Sequence, residues 1–328
     1  MKIKIPEIKK TLLNTLIKFG VSKQDAQIIM TEYLEGELQG RHSHGLAAFP
    51  ALAKKLGRKL KPPKVLKKTS SMVYVNANLN FGSVLGNKLA DQTMKMADKQ
   101  GIGMALISNM SSWLKPATVA RHIADKGYVA FVINNGGKPA IAPAGDYTSI
   151  FGTNPIGIGI PTSDDPVVID MATSVRAWGE VRIAKAAGRK TPNNAYLDSK
   201  GQVTRDPDKV QAALPFGDYK GSSLAMFVEI MTGSLVNMPM GSEVLKGNYR
   251  TIPRGAMILT INPRLTVGLS KFKKVNSKLT KEIKRSKKRK GVEVVLLPGE
   301  RSNKRRKENL KKGYLDVRPE LWEILKSL

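Results

Sequence analysis

The chain has 328 residues, 41% of them hydrophobic, which is enough for one large core or two ordinary ones. It contains no cysteine, so disulfides, thiolate metal sites, iron–sulfur ligation and cysteine nucleophiles are excluded. Fifty-five Lys and Arg against 26 Asp and Glu leave a formal charge of +29, far from that of an ordinary enzyme and attractive to phosphate, nucleic acid or acidic surfaces.

The N-terminal MKIKIPEIKK lacks the apolar core and small-residue cleavage site of a signal peptide. No run of eighteen apolar residues follows, so a cytoplasmic protein without a membrane span is expected. Ile8, Leu12, Leu13, Leu16 and Ile17 share one helical face that closes at Gly20. Ser22 to Asp25 resembles a capping box opening a second helix. That helix should bury Ala26, Ile29, Met30, Tyr33 and Leu34 and stop near Gly40, a residue able to take the left-handed closing conformation. Directly after it, QGRHSHGLAAFP carries His42 and His44, two of the three histidines in the chain, on a loop held by helices. A third ligand at motif spacing is missing, so no metal site is expected there.

From about residue 70 the pattern alternates: SMVYVNA, GNKLADQTMKMADKQG, GMALIS, ATVARHIADKG, YVAFVINN. Strand-like and helix-like runs in turn argue an α/β core containing parallel strands. His122, inside the helical VARHIAD, reads as structural. Strand-like runs return at IGIGIP, PVVIDM, AMILTIN and VEVVLLP, with helices expected at 175–187, 218–236 and, rich in lysine, 269–290; PELWEILKSL closes the chain as a helix. Residues 271–312 hold 18 Lys and Arg and 4 Glu, a net charge of +14, yet the cores KRSKKRK and RSNKRRKENLKK contain no aromatic side chain on which a base could stack. A solvated helix face and surface loop is the first reading of this segment, and attachment to nucleic acid or another polyanion is the alternative.

Phosphate-loop signatures are missing. GxGxxG follows none of the expected strands, Gly82 to Leu89 lacks P-loop spacing and its hydroxyl, and no GxSxG occurs. Glycine, proline and small polar residues instead cluster in NNGGKPAIAPAGD, FGTNPIGIGIPT, VIDMATS, LPFGDYKGSSLAM and LLPGE. Such loops offer backbone N–H groups for close approach of a pyrophosphate or ribose. Asp170 at a strand end can accept a hydrogen bond from a hydroxyl or an imidazole, and Lys220, in a glycine-flanked turn before a helix, can meet a phosphate.

In order, the SHG after a helical start, GTNPI, DMATS, LPFG-x-YKG and a late PGE resemble the type-2 malate/L-lactate dehydrogenase family, whose members include ureidoglycolate dehydrogenase, sulfolactate dehydrogenase, diketogulonate reductase and cyclic-imine carboxylate reductases. The resemblance spans nearly the whole chain. It implies an α/β fold with a non-Rossmann nucleotide-binding sheet and helices, plus a helical domain built from the chain ends; the expected division is 1–70 with 270–328 for the helical, substrate and dimer-contact part, and 71–269 for the nucleotide-binding part. It further implies an oxidoreductase that uses NAD or NADP on a small 2-oxo or 2-hydroxy acid, and a homodimer. By position, His44 is then the acid/base and Ser43 a substrate neighbour. Val168, Ile169, Asp170, Met171, Ala172, Thr173 and Ser174 are the cofactor-contacting stretch, and Lys220, Gly221, Pro298, Gly299 and Glu300 match further nucleotide contacts. The family lacks GxGxxG, so its absence here agrees. Imidazole titrates near neutrality and can both give and take the proton that accompanies hydride transfer. His42 is expected to face solvent or a subunit contact.

Two departures stand out. Relatives commonly hold the substrate carboxylate with an arginine three residues after the SHG glycine and a tyrosine four further on, positions filled here by Ala48 and Leu52. Relatives also carry a histidine where this chain has Ser112, which can hydrogen-bond a substrate but cannot act as an acid/base near pH 7. A guanidinium–carboxylate clamp is therefore replaced by apolar groups. An altered substrate is the reading ranked first; the alternative is a catalytically weak member that binds a polyanion or nucleic acid through the basic 271–312 segment.

Overall fold

The computed structural model describes all residues except 54, 57–60, 112, 114 and 248–251. The chain divides into two compact units, Met1–Leu60 with Lys278–Leu328, and Lys61–Ser277. Residues 64–68, read with the helical part, form a strand of the second unit, and that unit extends to Ser277 rather than 269.

The first unit opens with β1 (Lys2–Lys4), α1 (Ile5–Lys18) and α2 (Lys23–Leu38). Helix α1 buries Ile8, Leu12 and Leu16, and Gly20 ends it at φ +80°. The Ser22 hydroxyl accepts from the Asp25 N–H at 3.2 Å, so the N-terminal cap expected of α2 forms. All five residues assigned to its inner face are buried. Gly40 follows at φ +69°, where a side chain would be strained. Two short 3-10 turns, His42–His44 and Leu46–Ala48, lead into α3 (Phe49–Ala53).

The second unit is built on a seven-stranded sheet. Its elements are β2 (Lys64–Lys68), β3 (Met72–Asn76), α4 (Gly82–Gln100), β4 (Ile102–Met110), α5 (Pro116–Asp125), β5 (Val129–Asn134), β6 (Ile156–Ile160), β7 (Val167–Met171), α6 (Gly179–Ala186), the short pair β8 (Tyr196–Leu197) and β9 (Ala212–Ala213), α7 (Tyr219–Thr232), α8 (Glu243–Lys246) and β10 (Arg254–Ile261). The order across the sheet is β2-β3-β4-β10-β5-β6-β7. Strands alternate their side chains between faces. Val73, Val75, Ala105, Ile107, Ala130, Val132, Ala256 and Ile258 share a core with residues of α4 and α5, while Leu106, Ile133, Ile156 and Met257 pack with Val228 of α7 on the other.

Parallel pairing is rarer than the alternation suggests. Among the described strands of the sheet only β3 and β4 pair in parallel, whereas β10 inserts antiparallel between β4 and β5. The crossover helices α4 and α5 do carry β3, β4 and β5 in one direction, as the sequence indicates; nothing local announces that a strand from 120 residues further on separates the last two.

Helix α9 (Leu269–Arg285) runs from the second unit into the first, which α10 (Glu300–Lys312), β11 (Tyr314–Asp316) and α11 (Pro319–Ser327) complete, with β1 and β11 pairing antiparallel. The strand expected at VEVVLLP does not form. Its β-branched residues lie on a mostly exposed irregular segment with no ladder partner, and a strand without one has no hydrogen bonds to gain.

Candidate active site

The histidine loop is anchored by a buried acid that the sequence reading overlooked. Glu37, on the last turn of α2, is 7% exposed in its side chain. One carboxylate oxygen accepts from the Leu46 N–H at 2.9 Å and the other from the His42 Nδ1 at 2.6 Å. The loop can lie this close only because Gly36 and Gly45 lack side chains. A Cβ on Gly36 would overlap the His44 carbonyl, and one on Gly45 would stand 2.8 Å from the Glu37 nitrogen. Glu37 is the carboxylate partner of His42, whose hydrogen bond raises the imidazole pKa against a smaller opposing effect of desolvation. The His42 side chain remains 60% exposed. His44 is half-buried, and its Nδ1 lies 3.2 Å from the Ser43 hydroxyl, so the two residues named as proton donor and substrate neighbour touch each other. Leu52 is buried with Phe49 and Ala53, which commits the family's tyrosine position to packing.

In the same unit, Gly299 starts α10 in the left-handed conformation at φ +79°. The Glu300 carboxylate is engaged by Lys284 and by the Leu297 N–H, and Lys284 holds its pKa below the usual range. Pro298 to Glu300 is thus a tied turn whose carboxylate already has partners.

Strand directions in the second unit collect the glycine-rich and polar runs at one end of the sheet. Residue 76 lies beside 108, 110 beside 254, 134 beside 256, and 156 beside 171. The ends of β3, β4, β5 and β7 and the starts of β6 and β10 therefore share that end, although in sequence they are spread over some 180 residues. Asn109 and Asn154, both at this end, hold positive φ of 55° and 40°. Asparagine tolerates this region best among residues with a side chain, and such positions cluster where a site fixes the backbone.

Asn154, from GTNPI, is the hub. It is fully buried; its Oδ1 accepts from the Gly136 N–H at 3.1 Å, and its Nδ2 donates to the Ala225 carbonyl at 2.9 Å and to Glu229 Oε2 at 2.7 Å. One side chain thereby ties the NNGG loop to α7. Asp170 on the edge strand β7 pairs with Lys115 at 3.4 Å; the Lys115 side chain is 12% exposed and that of Asp170 26%. Val168 and Thr173 are buried, Ile169, Asp170, Met171 and Ala172 are half-buried, and Ser174 hydrogen-bonds the Arg176 carbonyl. A Cβ on Gly221 would approach the Thr173 carbonyl to 2.7 Å, so two of the expected cofactor contacts, Thr173 and Gly221, meet backbone to backbone. Lys220 beside them is exposed. Ser112 lies outside the described residues. Among the described residues no cluster of three His, Cys, Asp or Glu could hold a metal ion, and no helix is long and apolar enough to cross a membrane.

Three features could serve a phosphate-bearing cofactor. An edge strand leaves one row of backbone N–H and C=O groups outside the sheet, small residues follow it, and an exposed lysine stands next to a glycine-lined contact.

Comparison with known proteins agrees in extent. The family model described as malate/L-lactate dehydrogenase matches residues 3–326. The chain is similar to an L-sulfolactate dehydrogenase of Methanothermobacter thermautotrophicus, 30% identical over 248 residues that cover 74% of this chain and 72% of that enzyme. Its structure resembles that of sulfolactate dehydrogenase from Methanocaldococcus jannaschii, with a TM-score of 0.88 and 28% identity over 100% of this chain and 96% of that one. It shares its fold with malate dehydrogenase from Entamoeba histolytica, with a TM-score of 0.92 at 22% identity over 100% of this chain and 96% of that one.

Proposed function

This chain belongs to the malate/L-lactate dehydrogenase family, oxidoreductases acting on the CH–OH group of donors, and from that premise we propose that it interconverts a small 2-oxo acid, or a related C=O or C=N compound, with its reduced form using NAD or NADP. The observation that carries this reading is the gathering, at one end of the sheet, of the NNGG, GTNPI and DMATS runs around the Asn154 hub.

The bound nicotinamide supplies the hydride. What falls to the chain is to hold the substrate, exclude water and move one proton. In the proposal His44 gives that proton to the substrate oxygen in reduction and takes it back in oxidation, a task suited to a group that titrates near neutrality. Ser43 orients the ring through its Nδ1, and Glu37 keeps the loop in place. Thr173, Ser174, Lys220 and Gly221 serve the nucleotide, and Asp170 with Lys115 lines the same end of the sheet. The absence of arginine and tyrosine at Ala48 and Leu52 supports a substrate other than plain malate.

A homodimer belongs to the same reading. Helix α7 exposes Tyr219, Met226, Phe227 and Ile230 besides burying Ala225 and Val228, and a helix that is apolar on most sides asks for a second surface to cover it. Sedimentation of the intact protein tests this and should return twice the chain mass.

The experiment for the reaction is a titration of reduced-cofactor fluorescence followed by an absorbance screen of 2-oxo acids and cyclic imines. His44→Ala should abolish turnover and leave cofactor affinity near that of the parent. Turnover that survives this change would remove His44 from the mechanism.

A further inference from the structure

Among the described residues, Arg254 has no carboxylate partner. It opens β10 at a slip in the ladder with β4, where Arg254 faces Met110 but Ala256 faces Ile107. Ladder irregularities of this kind re-aim a side chain and are frequent beside active sites. Gly255 is held there by the Asn135 side chain, its N–H donating to Oδ1 at 3.2 Å. The guanidinium lies against bare backbone: a Cβ on Gly137, itself at φ +81°, would stand 3.3 Å from both Nε and Nη2. Of its five donors, Nη1 reaches the Trp113 carbonyl at a long 3.5 Å, and Nε is sealed from water with no hydrogen-bond partner. Two more buried atoms without partners belong to neighbouring segments, Asn134 Oδ1 at the end of β5 and Trp113 Nε1 in the loop after β4. Lys115, from the same loop, has Asp170; no carboxylate of the described residues pairs with Arg254. Arg254 as a whole residue is partly exposed, although its Nε is buried.

A guanidinium kept half-buried and uncompensated is costly in the ligand-free protein, and the cost is offset when an anion arrives. We propose that Arg254 anchors the carboxylate of the substrate, supplying the planar fork that Ala48 and Leu52 cannot, and so restricts the enzyme to carboxylate-bearing substrates. This rests on the reductase reading above. The other anion that could sit there is a cofactor phosphate; the exposed Lys220 beside Gly221 answers for that group, whereas a fork set among neutral polar atoms matches a flat carboxylate with an adjacent oxygen.

The test measures binding by calorimetry for wild type, R254M and R254Q, with oxalate as the 2-oxo acid mimic at saturating NADH, and with NADH and ADP alone. Oxalate affinity should fall by at least about thirtyfold in both variants, in line with removal of one partner from a desolvated charge pair. NADH and ADP affinities should stay within about twofold of wild type. Because the cation is uncompensated, the ligand-free melting temperature of R254M should equal or exceed that of wild type. In turnover, kcat/KM should collapse for a 2-oxo acid and change little for its amide. Unchanged oxalate affinity, or no oxalate binding by wild type, overturns the proposal. So does loss of NADH or ADP affinity, which would assign Arg254 to the nucleotide. Failure of both variants to fold would make Arg254 a structural residue and overturn it equally. Oxalate binding that depends on Arg254 in a protein that reduces no 2-oxo acid would sink the reductase reading and leave the anion site standing.

Discussion

Replacing Glu37 with alanine isolates the element that positions the histidine loop. Glu37→Ala removes a charged acceptor from the buried Leu46 N–H, an interaction at 2.9 Å of a kind that contributes about 1.5–3 kcal/mol. It also removes the partner of His42, which adds about 0–1 kcal/mol because that imidazole is mostly exposed and screened. The expected loss is about 1.5–4 kcal/mol, by summing the two contributions. Glu37→Gln keeps one acceptor for Leu46 and should cost about 1 kcal/mol. Urea denaturation followed by circular dichroism reads the difference as a lower midpoint at unchanged slope. Turnover should drop in parallel, because the His44 carbonyl rests on Gly36 through this tether, while NADH affinity holds. A Glu37→Ala protein within 0.5 kcal/mol of wild type and fully active would refute the claim that this carboxylate builds the site.

Asn154→Ala deletes three hydrogen bonds, two of them buried, and should destabilise the protein by about 3 kcal/mol or more, seen in the denaturation midpoint; Asn154→Asp, which faces the Glu229 carboxylate at hydrogen-bond distance, should be at least as harmful. Gly86→Ala places a Cβ 2.7 Å from Trp113 Cζ2 and should cost about 1–3 kcal/mol in the same assay. The raised pKa of His42 has a defined sign: its pair with Glu37 stabilises fully below the unfolded-state value and the contribution is lost as pH rises through the raised folded-state value. Stability curves measured from pH 6 to 9 should therefore show a small decline in wild type that is missing in Glu37→Gln. The exposed lysines and arginines of 285–290 should give retention on a polyanion column that falls steeply with salt and carries no sequence preference between nucleic acids.

Local chemistry made much of this protein legible. Helices α1 and α2, their buried faces, the Ser22 cap and the glycine that stops α2 follow from periodicity and capping, because these depend on residues within a few positions of each other. The order of short motifs was sufficient for family membership, since each motif is a contiguous backbone feature. Contacts between distant residues were not legible. A buried glutamate one helical turn before the histidines looks like any acid on a helix; a Pro-Arg-Gly at the start of a strand gives no sign that the arginine Nε is buried without a hydrogen-bond partner. GTNPI was readable as a motif, but Asn154 as the bridge between Gly136 and Glu229 was not.

The sequence by itself determined where helices and most strands form, that the chain lacks thiol chemistry, and which histidine sits in the SHG motif. Only the tertiary structure decided that β10 lies between β4 and β5, and with it which polar groups share one end of the sheet. The reason is physical: propensity and periodicity act over a few residues, whereas strand order and the burial of a charge are settled by packing among segments more than a hundred residues apart.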